Sequence, residues 1–102
     1  MNITYLDSYA ALSEKASSII VKEVEANPSL LFCAATGGSP TGMYAEMAKK
    51  KEFFQQMRVI KMDEWGIIPL SHPDSCESYL HQHLLGPLQI SPDRYIGFDT
   101  AP

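Results

Sequence analysis

The sequence predicts an α/β protein with a largely parallel β-sheet. Four segments with strand character (residues 2–6, 30–35, 57–62 and 95–98) alternate with three segments of helical periodicity. Between the second strand and the second helix lies a Gly-Gly turn, and an acidic pair, Asp63-Glu64, follows the third strand. Because ligands bind beyond the carboxyl ends of strands in such sheets, both polar motifs fall where a binding site is expected.

The first strand and the first helix are predicted from composition and spacing. Residues 2–6 read as a short strand, and Ser8 is a suitable N-cap for the helix that follows. Asn27 and Pro28 end this helix, since proline cannot continue it. One apolar face is expected to be buried, formed by Tyr9, Leu12, Ala16, Ile19, Ile20 and Val24.

The second strand and helix flank the Gly-Gly turn. Residues 30–35 are apolar and of the length of a buried strand, and residues 40–54 carry helical spacing. Pro40 suits the first turn of this helix, where the missing N–H costs nothing.

The third helix follows the third strand and a loop. Residues 57–62 form the strand and residues 66–74 the loop, after which Ser75 caps a helix. Gly86 and Pro87 end this helix, and residues 95–98 form the last predicted strand. The apolar positions of the helix are Cys76, Tyr79, Leu80 and Leu84.

Composition limits the class of protein. The 102 residues, 45% hydrophobic and 20% charged, make one globular domain at most. A net charge of −4 argues against nucleic acid or an anionic membrane as partner. No secretory signal is visible in the first residues, and no apolar run approaches the ~20 residues that span a bilayer. Cys33 and Cys76 read as reduced thiols, so a cytoplasmic location is expected. The last strand lacks a following helix to cover the sheet, which predicts a part of a larger protein.

The Gly-Gly turn has the features of a phosphate-binding loop. A strand that turns through Gly37-Gly38 into a helix presents free N–H groups and the positive end of the helix dipole. The hydroxyls of Thr36, Ser39 and Thr41 add further donors. The turn matches neither a Walker A loop nor a dinucleotide fingerprint, which favours a small phosphorylated ligand. A turn that needs glycine for conformational reasons alone is the alternative.

The acidic pair offers one carboxylate for chemistry. Neighbouring residues of a strand point to opposite faces, so one of Asp63 and Glu64 is expected to face the cleft and the other a structural partner. Beside a phosphate-binding turn, such a carboxylate suits a general base for a proton next to a carbonyl. A turn cap or an ion-pair partner is the alternative. Trp65 reads as a packing residue, and His81 and His83 as structural or surface residues that form no metal site.

Two longer segments carry a resemblance to a known family. ATGGSPTGMY (35–44) and MDEWGIIPLSHPDSCESYLHQHLLGPL (62–88) resemble the amino-sugar phosphate deaminase/isomerase family. That family has Thr-Gly-Gly-Ser/Thr-Pro, then Asp-Glu-Tyr, then His-Pro-x-Ser-Tyr. Trp65 and Cys76 replace the two tyrosines, and these departures are closest to the galactosamine-6-phosphate isomerase branch.

The resemblance implies a fold, an activity and roles for individual residues. The fold is a Rossmann-like three-layer sandwich, of which residues 1–102 would be the N-terminal part of a single domain. The activity is aldose–ketose isomerisation of a small-molecule amino-sugar phosphate with loss of ammonia, without metal or other cofactor. Asp63 would move the proton between C2 and C1, with Glu64 and His72 as supporting residues. The 6-phosphate would be held by Thr36, Gly37, Gly38, Ser39 and Thr41.

The same resemblance implies that this chain is incomplete for catalysis. The family's later Gly-x-Gly-x-x-Gly-His segment, with its ring-opening histidine, does not occur among the 102 residues. The chain alone is therefore expected to be inactive, and a homo-oligomer of the intact protein is compatible with the family. The alternatives are a 6-phosphogluconolactonase-like hydrolase, whose Asp-Glu-Arg and Ser-Asn differ from the residues here, a non-catalytic phosphosugar-binding module, and an inactive α/β fragment.

Overall fold

A three-stranded parallel sheet organises the chain. The computed structural model describes residues 3–100. The strands β1 (Leu31–Ala34), β2 (Arg58–Lys61) and β3 (Tyr95–Ile96) lie in the order β1-β2-β3, all parallel. The helices are α1 (Tyr9–Ala26), α2 (Gly38–Ala48) and α3 (Cys76–Leu80). The predicted α/β class with a parallel sheet is therefore confirmed.

Helix ends follow the capping residues that the sequence indicates. The Ser8 hydroxyl accepts a hydrogen bond from the Ala11 N–H at the start of α1, and the Ser75 hydroxyl accepts one from the Ser78 N–H at the start of α3. Beyond α3 the chain continues as a π-helical turn, His81–Leu85. The N–H of Gly86 bonds there to the carbonyl of His81 at 3.0 Å, which widens the last turn before Pro87.

Three predicted elements differ from the structure. Residues 3–6 of the predicted first strand form no strand, and Asn2 lies outside the described residues; the described sheet therefore has three strands, not four. Short alternating patterns need a neighbouring strand to complete a ladder, and these residues have none in the described sheet. The second helix ends at Ala48 rather than at residue 54, and a 3₁₀ turn follows at Lys51–Phe54. The last strand covers two residues instead of four.

The buried face of α1 also differs from the prediction. Val24 is buried as expected, but Leu12 and Ile19 are about half exposed, while Ser13 and Ser17 are buried. The reason is the close approach of α2: a Cβ built on Gly42 would lie 2.2 Å from Ser13 Oγ. Small side chains meet at this contact, so the buried stripe of α1 is shifted away from its apolar stripe.

The hydrophobic core lies between the sheet and the helices. Arg94 ties the start of β3 to this core, since its Nη1 donates to the carbonyls of Phe54 and Met57, each at 3.0 Å. No helix within residues 3–100 is long and apolar enough to cross a membrane. The buried core residues are Val24, Ala34, Tyr44, Met47, Phe54, Met57, Val59, Leu80, Leu84, Leu85 and Leu88.

Candidate functional site

The candidate site lies at the carboxyl ends of β1 and β2. These strands are neighbours in register, with Ala34 opposite Lys61, so the segments that leave them emerge side by side. The Gly-Gly turn, through Gly37, and Trp65, which follows the acidic pair, border one cleft of about 350 Å³, while Asp63 and Glu64 are not among its lining residues. Its lining includes Thr36, Gly37, Trp65, Ser75, Cys76 and Tyr79.

The Gly-Gly turn is open toward solvent. Gly37 is the N-cap of α2 and has φ of +110°, a conformation that favours glycine. A Cβ built on Gly37 or on Gly38 would meet no atom within 4 Å. The first N–H groups of α2 have no partner within their own helix, so an anion can approach the backbone of this turn closely.

The hydroxyls of the turn differ in what they contact. Thr36 lines the cleft, and its Oγ1 lies 3.7 Å from Cys76 Sγ. The Thr41 hydroxyl bonds at 2.7 Å to the Gly37 carbonyl and lies 2.7 Å from the Tyr79 hydroxyl, so it stabilises the turn from within. Ser39 lines a separate groove between α1 and α2. The structure thus brings Thr36 and Gly37 into the cleft itself, whereas the predicted residues Gly38, Ser39 and Thr41 are not among the residues that line it.

Asp63 is exposed and connects to the turn through Cys76. The Cys76 thiol donates to Asp63 Oδ1 at 3.8 Å, and the same sulfur contacts Thr36. Burial raises the pKa of Cys76, and the charges of Glu64 and Asp63 add to that effect, so the thiol stays protonated as a donor. Cys76 therefore lies between the proposed phosphate turn and the proposed base.

Glu64 is the structural member of the acidic pair, although β2 already ends at Lys61 and neither residue of the pair lies within the strand. Its side chain is fully buried, and its carboxylate accepts hydrogen bonds from the N–H groups of Trp65, Cys76 and Glu77 at 2.8–2.9 Å. Burial alone would raise the pKa of Glu64. The N–H groups of Cys76 and Trp65, together with Lys61 Nζ, outweigh it and lower the pKa from 4.5 to about 2. Glu64 is thus an ionised structural partner that fixes the start of α3.

A buried lysine completes the charge balance beneath the cleft. Lys61 Nζ lies 3.0 Å from Glu64 Oε1 and 3.1 Å from Glu77 Oε1, and it donates to the Phe98 carbonyl at 2.6 Å. The hydroxyl of Tyr95 also donates to Glu77, at 2.7 Å. This network links β2, β3 and α3. Because Glu64 is part of it, the network also fixes the backbone next to Asp63.

The remaining sequence candidates lie beside the cleft or away from it. His72 accepts a hydrogen bond from the Asp74 N–H through Nδ1 and lines an adjoining cavity of about 430 Å³, not the cleft itself. His81 bonds to Glu77, and His83 contacts the Tyr79 ring, which fits structural roles. Trp65 is not a packing residue: its side chain is 62% exposed and borders both cavities.

Sequence reasoning missed the functional relevance of two residues. Cys76 and Tyr79 were counted as apolar positions of the third helix, yet both line the cleft through polar atoms. Their position could have indicated this, because residues in the first turn of a helix lie next to the loop that precedes it, and α3 begins directly after its N-cap Ser75.

These elements define a Rossmann-like α/β fold with a small cleft at the carboxyl edge of its sheet. The fold is that of a monomeric glucosamine-6-phosphate deaminase of the NagB superfamily, with a TM-score of 0.90 at 22% identity over 98% of this chain and 43% of that one. The 6-phosphogluconolactonase of Trypanosoma brucei has the same fold, with a TM-score of 0.81 at 24% identity over 97% of this chain and 40% of that one.

The chain is also similar in sequence to proteins named as deaminases. The chain is 35% identical to the putative deaminase AgaI of Escherichia coli K12 over 91% of its own length and 39% of that protein. It is 30% identical to the glucosamine-6-phosphate deaminase of Bacillus velezensis, over 93% of its own length and 41% of that protein. No protein-family model matches. The chain spans about two fifths of the length of these curated relatives, and its resemblance to amino-sugar phosphate deaminases is confirmed.

Proposed function

We propose that the protein carrying this chain is an amino-sugar 6-phosphate isomerase/deaminase. It would convert glucosamine or galactosamine 6-phosphate into a ketose 6-phosphate and ammonia. The observation that carries the proposal is the similarity to deaminases over 91% of the chain, combined with an open Gly-Gly turn that Cys76, at the wall of the cleft, links to Asp63.

The chemistry requires a held phosphate and one mobile proton. The N–H groups of Gly38 and Ser39 at the start of α2 would bind the phosphate, helped by the helix dipole. Asp63 would remove the proton from C2 of the open-chain sugar and deliver it to C1. This transfer turns the C1 aldehyde into an alcohol and the C2 amine into an imine. Water hydrolyses the imine to a ketone and ammonia, so the proposal invokes no metal or other cofactor.

The length of the relatives supports a second element of the proposal. They are more than twice as long as the chain, which fits residues 1–102 as the N-terminal part of one longer domain. In that arrangement, the remainder would supply the ring-opening group and further phosphate contacts. The 6-phosphogluconolactonase fold neighbour is the alternative, and ammonia release separates the two activities, because a lactonase releases only an acid.

A substitution at Gly38 tests the phosphate site. A Cβ at Gly38 meets no atom within 4 Å, so Gly38→Val adds its side chain on the open side of the turn, where it blocks the approach to the backbone. We expect affinity for glucosamine or galactosamine 6-phosphate, measured by calorimetric titration of the intact polypeptide, to fall at least ~10-fold.

The matched control is Ala45→Val. This residue is exposed on the same helix, away from the turn, and carries the same cost of a β-branched residue in a helix. The assignment of the turn is wrong if Gly38→Val binds these sugar phosphates as tightly as Ala45→Val does.

A further inference from the structure

We infer that Tyr9 and Tyr79 are positioning residues that aim the first two N–H groups of α2 at the phosphate. The inference rests on the proposed function, because it concerns the same turn. It adds two aromatic residues from separate helices to a site otherwise built from glycines and hydroxyls.

Two tyrosine hydroxyls donate hydrogen bonds to consecutive carbonyls of the turn. The Tyr79 hydroxyl, from α3, donates to the Gly37 carbonyl at 2.7 Å, and the Tyr9 hydroxyl, from α1, donates to the Gly38 carbonyl at 2.6 Å. A third phenol, that of Tyr44, donates to the Ala35 carbonyl at 2.5 Å where the chain enters the turn. Side chains from α1, α2 and α3 therefore fix the backbone of this segment.

A bond to a carbonyl fixes the N–H of the next residue. The peptide unit is planar and rigid, so the Gly37 carbonyl and the Gly38 N–H point in opposite directions from the same plane. Holding the Gly37 carbonyl thus sets the direction of the Gly38 N–H, and holding the Gly38 carbonyl sets that of the Ser39 N–H. Glycine has the most backbone freedom of any residue, so these two planes are the ones that need external support.

The Tyr9 phenol is inserted into the first turn of α2. It accepts a hydrogen bond from the Gly42 N–H at 2.7 Å while it donates to the Gly38 carbonyl. In a regular helix, that N–H and that carbonyl would bond to each other. The Tyr9 phenol is an additional partner of both groups, which uses its donor and its acceptor and links the opening of α2 to α1.

The Tyr79 phenol is part of a closed group of three oxygens. Its oxygen lies 2.7 Å from Thr41 Oγ1, which itself donates to the Gly37 carbonyl. Burial raises the pKa of Tyr79, so the phenol keeps its proton and remains a donor when an anion binds nearby. Tyr79 also lines the cleft, which places this support at the wall of the site.

Removal of the single hydroxyl in Tyr79→Phe and in Tyr9→Phe tests the inference. Titration of the intact polypeptide with inorganic phosphate and with glucosamine 6-phosphate is followed by the amide resonances of Gly38 and Ser39. We expect each variant to bind both probes about 3- to 10-fold more weakly, the loss that follows from one misplaced neutral hydrogen bond. In turnover by the intact enzyme, KM rises and kcat is nearly unchanged, because uniform binding is lost.

The control is Tyr5→Phe, in which a hydroxyl is removed from a side chain that is 87% exposed outside the turn. Its phosphate affinity should equal that of the wild type. All affinities are measured well below the unfolding transition, where a purely structural role would leave them unchanged.

The outcomes separate this inference from the function that it rests on. If the wild type binds and both variants bind as tightly as Tyr5→Phe, the two tyrosines do not position the turn, and the proposed function stands. If the wild type shows no saturable binding of either probe, the proposed function is overturned, and the inference with it.

Discussion

Glu64→Gln is expected to destabilise the fold strongly without removing the proposed base. The carboxylate is fully buried and accepts from three backbone N–H groups and from Lys61. Glutamine keeps the shape but turns one acceptor oxygen into a donor. That NH₂ group then faces N–H donors, and Lys61 loses one of its two carboxylate partners.

The size of the effect follows from the ionisation of Glu64. A pKa lowered from 4.5 to about 2 corresponds to about 3 kcal/mol of stabilisation at neutral pH. Removal of one partner of a buried ion pair costs ~3–5 kcal/mol in other proteins, which agrees with this value. We therefore expect the free energy of unfolding at pH 7 to fall by about 3 kcal/mol in Glu64→Gln.

The loss should depend on pH with a defined sign. Because the folded pKa lies below the unfolded one, the carboxylate stabilises the fold fully above pH 4.5, and this stabilisation decreases as the pH falls toward 2. By pH 3.5 on the order of 1 kcal/mol of it should be gone. The difference between wild type and Glu64→Gln should narrow by that amount between pH 7 and pH 3.5.

Urea denaturation followed by circular dichroism at both pH values measures these differences. The control is Glu46→Gln, which breaks the exposed pair with Lys49 and should cost less than ~1 kcal/mol at either pH. A loss in Glu64→Gln no larger than that in Glu46→Gln would refute the reasoning. A pH-independent loss would also contradict it, since the effect could not then come from the charge.

Two further substitutions test contacts that position the site. Gly42→Ala places a Cβ 2.2 Å from Ser13 Oγ and 2.6 Å from Tyr9 Cε2, so these two side chains of α1 must shift. We expect a loss of ~1–3 kcal/mol in urea denaturation, and an unchanged midpoint would show that the contact is not tight. Ser75→Ala removes the N-cap hydroxyl of α3, which accepts from the Ser78 N–H. We expect the free energy of unfolding to fall by ~1–2 kcal/mol, and a fall of less than ~0.3 kcal/mol would show that the cap does not stabilise the helix.

Local signals in the sequence were sufficient for most elements of the fold. Residue type and spacing indicate the caps Ser8 and Ser75 and the glycine turn after β1, because each depends on nearby backbone groups. The parallel direction of the strands follows from their alternation with helices. The predicted strand at residues 2–6 failed for the opposite reason. Strand formation needs a partner, and alternation along one segment carries no information about whether a neighbour exists.

The buried face of α1 shows a second limit. Hydrophobic periodicity selected Leu12 and Ile19, but the contact with α2 is set by the absence of a side chain at Gly42, which draws Ser13 inward. A pattern of apolar residues cannot indicate a contact made by small ones. The role of Tyr9 is missed for the same reason. Periodicity predicts that its ring is buried, but it does not predict that the hydroxyl contacts the first turn of α2.

The site was predictable where it depended on topology. Strand ends on one edge of a parallel sheet must meet, so the link from the Gly-Gly turn to Asp63 through Cys76, and the burial of Glu64 as a structural partner, follow from the sequence. Contacts from α3 were not predictable, because they depend on how the loop at residues 66–74 folds back. Cys76 and Tyr79 reach the cleft only through that loop.

Exchange of the substrate C2 proton with solvent deuterium tests the central claim most directly. The intact polypeptide is incubated with glucosamine or galactosamine 6-phosphate in D₂O, and the C2 proton resonance is followed. Asp63→Asn keeps the shape but cannot accept the proton, so we predict exchange slowed by at least ~10²-fold with sugar-phosphate affinity nearly unchanged. Glu64→Gln, studied where it is folded, should keep most of the exchange rate. Exchange in Asp63→Asn at the wild-type rate would contradict the account, because Asp63 would then not be the base.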